Sequence, residues 1–145
     1  MSNYAKKKGR SNGKSSYLGI PKAVADHDNF TRLSGWGAKL LLLVAKQYNG
    51  YNNGDLSATW KQAKLFGFRS ESTLSEAKKE VLHYQLITLT RSGGTNRPTL
   101  YALTWNKIDE CKGKLNVSPT KNAPGFWKDR RPDFLKKSQR LINKN

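Results

Sequence analysis

The stretch TWKQAKLFGFRSESTLSEAKKEVLHYQLITLTRSGGTNRPTLYAL, residues 59–103, decides the fold. Its first apolar residues recur at helical spacing. Trp60, Ala63 and Phe66 or Leu65 supply the inner face of a short helix from Thr59 to Phe66, with Thr59 as N-cap. Gly67 permits a tight turn through Phe68 and Arg69 to Ser70, which caps a second helix, Glu71 to Tyr84. In that helix Leu74, Ala77, Val81 and Tyr84 form one stripe, and Ser72, Ser75, Glu76, Lys79 and His83 project opposite it. The period then changes. Leu86 to Thr90 and Thr99 to Trp105 are β-prone, with Ile87 and Leu89 expected inward and Thr88 and Thr90 outward. In the second strand Leu100 and Ala102 share one face, and Tyr101, Leu103 and Trp105 the other; either face fits burial. Gly93-Gly94 is read as the turn, decorated by Arg91, Asn96 and Arg97. Pro98 has no ladder hydrogen bond to donate, which places it at the tip or an edge.

Upstream, Ser34 caps a helix from about Gly35 to Tyr48, with Ala38, Leu41, Leu42, Ala45 and Tyr48 on one face and Leu40, Leu43 and Val44 widening it. Asn49-Gly50 ends this helix. Tyr51 to Asp55 is turn material, and Leu56-Ser57-Ala58 suits a short strand beside the hairpin. Tyr17 to Leu33 is a lead-in anchored by Ile20, Val24, Phe30 and Leu33, with Pro21 starting a short helix. A central helix, then helix, turn, helix and hairpin, is the element order of a winged helix-turn-helix. The expected class is therefore α+β, a three-helix core plus a β-hairpin wing. The expected organisation is a disordered basic arm over 1–16, the domain over 17–105, and a basic C-terminal extension over 106–145.

The formal net charge of +17 in 145 residues sets the class of partner. Such a surface attracts polyanions through phosphate neutralisation and counterion release. The longest apolar run, Leu40 to Ala45, is far too short to span a bilayer. The first sixteen residues are basic and polar, without the apolar core of a signal peptide, so a cytoplasmic, nucleoid-associated protein is expected. The single cysteine, Cys111, has no partner for a disulfide or a zinc cluster.

The residues 73–87, TLSEAKKEVLHYQLI, resemble the recognition-helix signature of bacterial winged-helix proteins. In that signature a Thr/Ser-apolar start is followed by Ala, an apolar residue four on, and a Gly-Leu-Ile entry to the wing strand. This chain has Gln85 where the pattern usually has Gly. The segment 48–56, YNGYNNGDL, is similar to the loop after the first helix in helix-turn-helix proteins of phages, plasmids and integrated elements, which are related to replication-initiator N-terminal domains. The resemblance covers roughly Tyr17 to Trp105. It implies a duplex-DNA-binding regulator, expected to be a repressor of a mobile element. The alternatives are a replication-origin binder and an RNA-binding or nucleoid-type structural protein. The expected recognition-helix contacts are Arg69, Ser70, Ser72, Thr73, Ser75, Glu76 and Lys79. The wing contributes Arg91, Thr95, Asn96 and Arg97, and the phosphate backbone is met by Lys61, Lys64, Lys6, Lys7, Lys8 and Arg10.

Catalytic patterns are not found. The chain has no phosphate-cradling Gly-rich motif, no His-Glu-x-x-His and no paired-Cys spacing, so neither enzyme activity, metal, cofactor nor small-molecule ligand is expected. Asp26 and Asp28 flank His27 in what reads as a solvated loop, and Asp109-Glu110 are adjacent residues that point apart. Ile108, Leu115 and Val117 can fold back on the core. Pro132 to Ile142 regains helical period, with Phe134, Leu135, Ser138, Leu141 and Ile142 on one side, and is read as packing on the domain or on a second subunit in a homodimer. A DNA contact, a membrane-surface segment and a partner motif are the other readings of so basic a helix.

Overall fold

The computed structural model describes residues 16–143. The expected basic arm, including Lys6, Lys7, Lys8 and Arg10, lies outside these residues. The chain is of the α+β kind. Two short helices, α1 (Lys22–Ala25) and α2 (Asp28–Thr31), precede α3 (Gly35–Ala45), α4 (Trp60–Leu65) and α5 (Glu71–His83). The strands β1 (Ile87–Arg91) and β2 (Leu100–Leu103) pair antiparallel, and α6 (Lys137–Asn143) follows a long irregular segment. Leu56 adds a one-residue bridge on the other side of β2, exchanging both backbone hydrogen bonds with Tyr101.

The helix starts follow the expected caps. The Ser34 hydroxyl accepts from Gly37 N, Thr59 forms a reciprocal capping box with Gln62, and the Ser70 hydroxyl accepts from Thr73 N. The helix ends share a second device. At the end of α4, Phe68 N donates to Ala63 O and Gly67 N to Lys64 O, with Gly67 at φ +102°. At the end of α5, Leu86 N donates to Val81 O and Gln85 N to Leu82 O, with Gln85 at φ +55°. Both are Schellman turns, closed by an apolar pair, Ala63 with Phe68 and Val81 with Leu86.

The core lies between α3, α5 and the sheet. The stripe expected on α5, Leu74, Ala77, Val81 and Tyr84, is buried throughout. On α3 the buried set is Leu40, Leu41, Leu43, Val44 and Ala45, whereas Leu42 is 37% exposed, so the inner face is turned by about one residue from the expected one. This helix also stops at Ala45, before Asn49-Gly50. On α4 it is Phe66 that packs inward; Leu65 is 84% exposed.

Three further expectations are corrected by the backbone. Thr90 is the extra residue of a β-bulge between the pairs Leu89–Tyr101 and Arg91–Leu100. The bulge breaks the alternation, so Thr90 is buried, its hydroxyl donating to Gly54 O at 2.6 Å, while Leu89 is 44% exposed. Gly93-Gly94 is not the turn. Gly94 and Arg97 form the closing hydrogen-bonded pair, with Thr95 and Asn96 at the apex and Asn96 at φ +60°. Gly93 is needed for space instead, since a Cβ there would run into the Arg97–Thr99 backbone. Residues 132–136 are not helical; the helix begins only at Lys137.

Both faces of β2 are buried. Tyr101 and Leu103 join the main core, while Leu100 and Ala102 are buried outside that cluster. The segment after Trp105 folds back along the hairpin, with Asn116 N donating to Thr90 O and Gly125 N to Thr104 O. Two buried asparagines clamp it. Asn53 donates to the carbonyls of Leu103, Asn106 and Lys107 and accepts from Leu103 N. Asn29 donates to Trp127 O and Asp129 O and accepts from Arg131 N. Phe134 then docks beside Tyr84, its N–H donating to the Tyr84 hydroxyl.

Candidate nucleic-acid interface

Two elements present the expected contacts, α5 with the turn before it and the apex of the hairpin. On α5, Ser72, Ser75 and Lys79 are exposed. Ser72 and Ser75 carry short hydroxyls without hydrogen-bond partners among the described residues. Ser70 and Thr73 are committed to the helix itself, the Ser70 hydroxyl donating to Thr73 Oγ1 at 2.9 Å and accepting from Thr73 N. Arg69 is exposed in the turn, and Lys61 and Lys64 are exposed on α4. These three have no acidic partner among the described residues.

Glu76 stands apart from its neighbours. Its carboxylate accepts two hydrogen bonds from Arg140 Nη2, at 3.0 and 2.8 Å, and lies 3.4 Å from Lys79 Nζ. The Arg140 hydrogen bond holds the Glu76 carboxyl below the ordinary glutamate range, against the opposing effect of its partial burial. Arg140 also lies over the Phe134 ring, so α6 is tied to α5 through this carboxylate. His83, expected outward, is half-buried against Tyr84 and Phe134, with Nε2 2.6 Å from Pro132 O. The C-terminal segment therefore occupies the Glu76–His83 side of α5; Ser75 and Lys79 stay exposed, and Ser72 is exposed at the rim of a groove shared with Phe134 and Lys136 to Ser138.

At the hairpin, Thr95, Asn96 and Arg97 are exposed at the apex. Arg91 is different. Its guanidinium turns back across the hairpin, with Nη2 donating to Pro98 O at 2.9 Å and Nε buried without a partner. Arg91 braces the hairpin, and Arg97 is the cation free to leave it.

Sequence reasoning missed Glu80. It is buried on α5 and accepts from both the backbone N–H and the hydroxyl of Ser34, at 2.8 and 2.7 Å. This ties the start of α3 to the middle of α5, and Gly37 leaves room for the carboxylate, because a Cβ there would overlap Glu80 Oε1. The signal was an acid beside the apolar stripe of α5, where Glu71 and Glu76 stand farther from it. The Asp26-His27-Asp28 triplet is a cap, not a loop alone: His27 Nδ1 accepts from Asn29 N and Nε2 faces Lys128 O. Asp109 caps Asn53 N, and burial pushes the Cys111 thiol up, away from the thiolate form. Among the described residues no cluster of three or more His, Cys, Asp or Glu is placed to hold a metal, and no helix is long and apolar enough to cross a membrane.

No protein-family model matches the sequence, and neither a curated protein nor a solved structure matches it significantly.

Proposed function

We propose that the chain is a winged helix-turn-helix protein that binds duplex DNA, acting in the cytoplasm as a transcriptional regulator, a repressor of a mobile element, without catalytic activity. The observation that carries this reading is the open side of α5. Ser72, Ser75 and Lys79 form a narrow polar strip with Arg69 at its N-terminal end, on a helix fixed by a cap, a Schellman turn and the Glu80–Ser34 tie. A helix enters the major groove with short side chains first, where bulk would hold it away, and Lys79 can donate to guanine. The hairpin apex with Arg97 reaches the adjacent backbone or minor groove, and Lys61 and Lys64 meet phosphates.

The pairing of Leu56 with β2 supports the same reading, since it supplies the third sheet position beside the hairpin. Burial of Tyr101 speaks against the RNA-binding alternative in its sheet-platform form, which needs that ring exposed for base stacking. The test is a footprint of the full chain on genomic fragments recovered from the native host by chromatin immunoprecipitation. Discrete protected sites at promoters are expected. Uniform coating would replace this reading with a nucleoid-type protein, and sites confined to an origin would replace it with an initiator.

A further inference from the structure

A second groove lies away from α4, α5 and the hairpin apex. It has a volume of about 970 Å³ and runs between residues 16–21, the end of α3 and the residues just after β2. Three aromatic rings line it, Tyr17, Tyr48 and Trp105. None of them stacks on another ring of the described chain; Tyr48 and Trp105 rest partly against the core, and Tyr17 stands open. Their polar ends are unspent: the Tyr17 and Tyr48 hydroxyls and the Trp105 indole N–H have no hydrogen-bond partner among the described residues. Tyr17 is 90% exposed, although Ile20, three residues on, packs against the core. Asn106 lines the same groove, and Lys46 stands at its edge with its ammonium over the Phe66 ring.

We propose that this groove binds unpaired nucleobases of a single-stranded nucleic acid. Aromatic rings beside free donors match what an unstacked base offers, a π-face and a hydrogen-bonding edge. An apolar peptide would leave the donors unmatched, and a duplex keeps its bases stacked and closed to the rings. The site is independent of the duplex-binding surface proposed above, with which it shares no residue.

The test is fluorescence anisotropy of the full chain with labelled twelve-residue oligo(dT), oligo(U) and an abasic strand of the same length. Oligo(dT), oligo(U) or both should bind at least about tenfold tighter than the abasic strand, because stacking needs bases. The two base-bearing strands show whether the sugar matters. Tyr17→Ala should lose about tenfold for the base-bearing strands and leave the thermal melt and duplex affinity unchanged. Trp105→Phe keeps a ring against the core and should retain binding while abolishing its share of the tryptophan quenching. Equal affinity for abasic and base-bearing strands, or no effect of Tyr17→Ala, would overturn the proposal. Loss of duplex binding in Lys79→Ala or Arg97→Ala with strand binding intact would separate the two surfaces.

Discussion

Gln85 and Gly67 sit at the same position of the same turn, and only one of them is suited to it. A left-handed backbone costs a residue with a Cβ about 1–2 kcal/mol, a cost that glycine avoids. Gln85→Gly should therefore raise the unfolding free energy by about 1 kcal/mol, measured by denaturant titration, and Gly67→Ala should lower it by a similar amount. Gly37 shows the opposite demand, for room. A Cβ there would displace the Glu80 carboxylate from Ser34, so Gly37→Ala should destabilise by about 1–3 kcal/mol. Glu76 adds a pH-dependent contact. Because Arg140 lowers its folded-state pKa, the ion pair contributes fully above the ordinary glutamate range and is lost as pH falls through the lowered value. Amide exchange in α6 should accelerate across that acid window in the native chain and should already be fast at neutral pH in Glu76→Gln. Identical exchange in both proteins would remove Glu76 as the anchor.

At the scale of elements, what was legible in the sequence is what local chemistry decides. Ser34, Thr59 and Ser70 announced their caps because a hydroxyl before an apolar-periodic run has one economical use, and the α5 stripe kept strict helical spacing. The hairpin was legible as a hairpin but not in detail. Two adjacent glycines drew attention to themselves, yet one is there for clearance and the apex is made by Thr95-Asn96. The bulge at Thr90 depends on a partner thirty-six residues away, the Gly54 carbonyl, and no local pattern encodes it. The contacts of Glu76, Glu80 and His83 were hidden for the same reason: their partners come from distant segments. The hairpin carries its own prediction. Arg97→Ala should weaken duplex binding most on A·T-rich flanks, where a narrow minor groove favours an inserted guanidinium, as read by competition binding on sites differing only in flank. Arg91→Ala should instead loosen the hairpin and broaden its amide signals, since Arg91, at the end of β1, ties the returning loop through Pro98 O.

For the whole molecule, charge and connectivity set the behaviour. If about six to ten phosphates are neutralised, duplex affinity should fall about 10³–10⁵-fold between roughly 50 and 200 mM salt, and a flat titration would remove the electrostatic component. The C-terminal segment is part of the folded body at least as far as Phe134, because Asn53, Asn29 and the Tyr84 hydroxyl hydrogen-bond to it in turn at Asn106 and Lys107, at residues 127–131 and at Phe134. Asn29→Ala would leave Trp127 O, Asp129 O and Arg131 N without their partner and should cost about 3 kcal/mol, seen as a lower melting temperature. Deleting everything after Pro124 should cost at least as much. The Asn29 clamp also imposes an order of events on a ribosome. Its partners lie about a hundred residues downstream, so the helices and hairpin can close while Asn29 still waits for the segment that satisfies it. Until residues 127–131 emerge, the nascent domain carries an open seam beside α2, where a protease or a chaperone would find it.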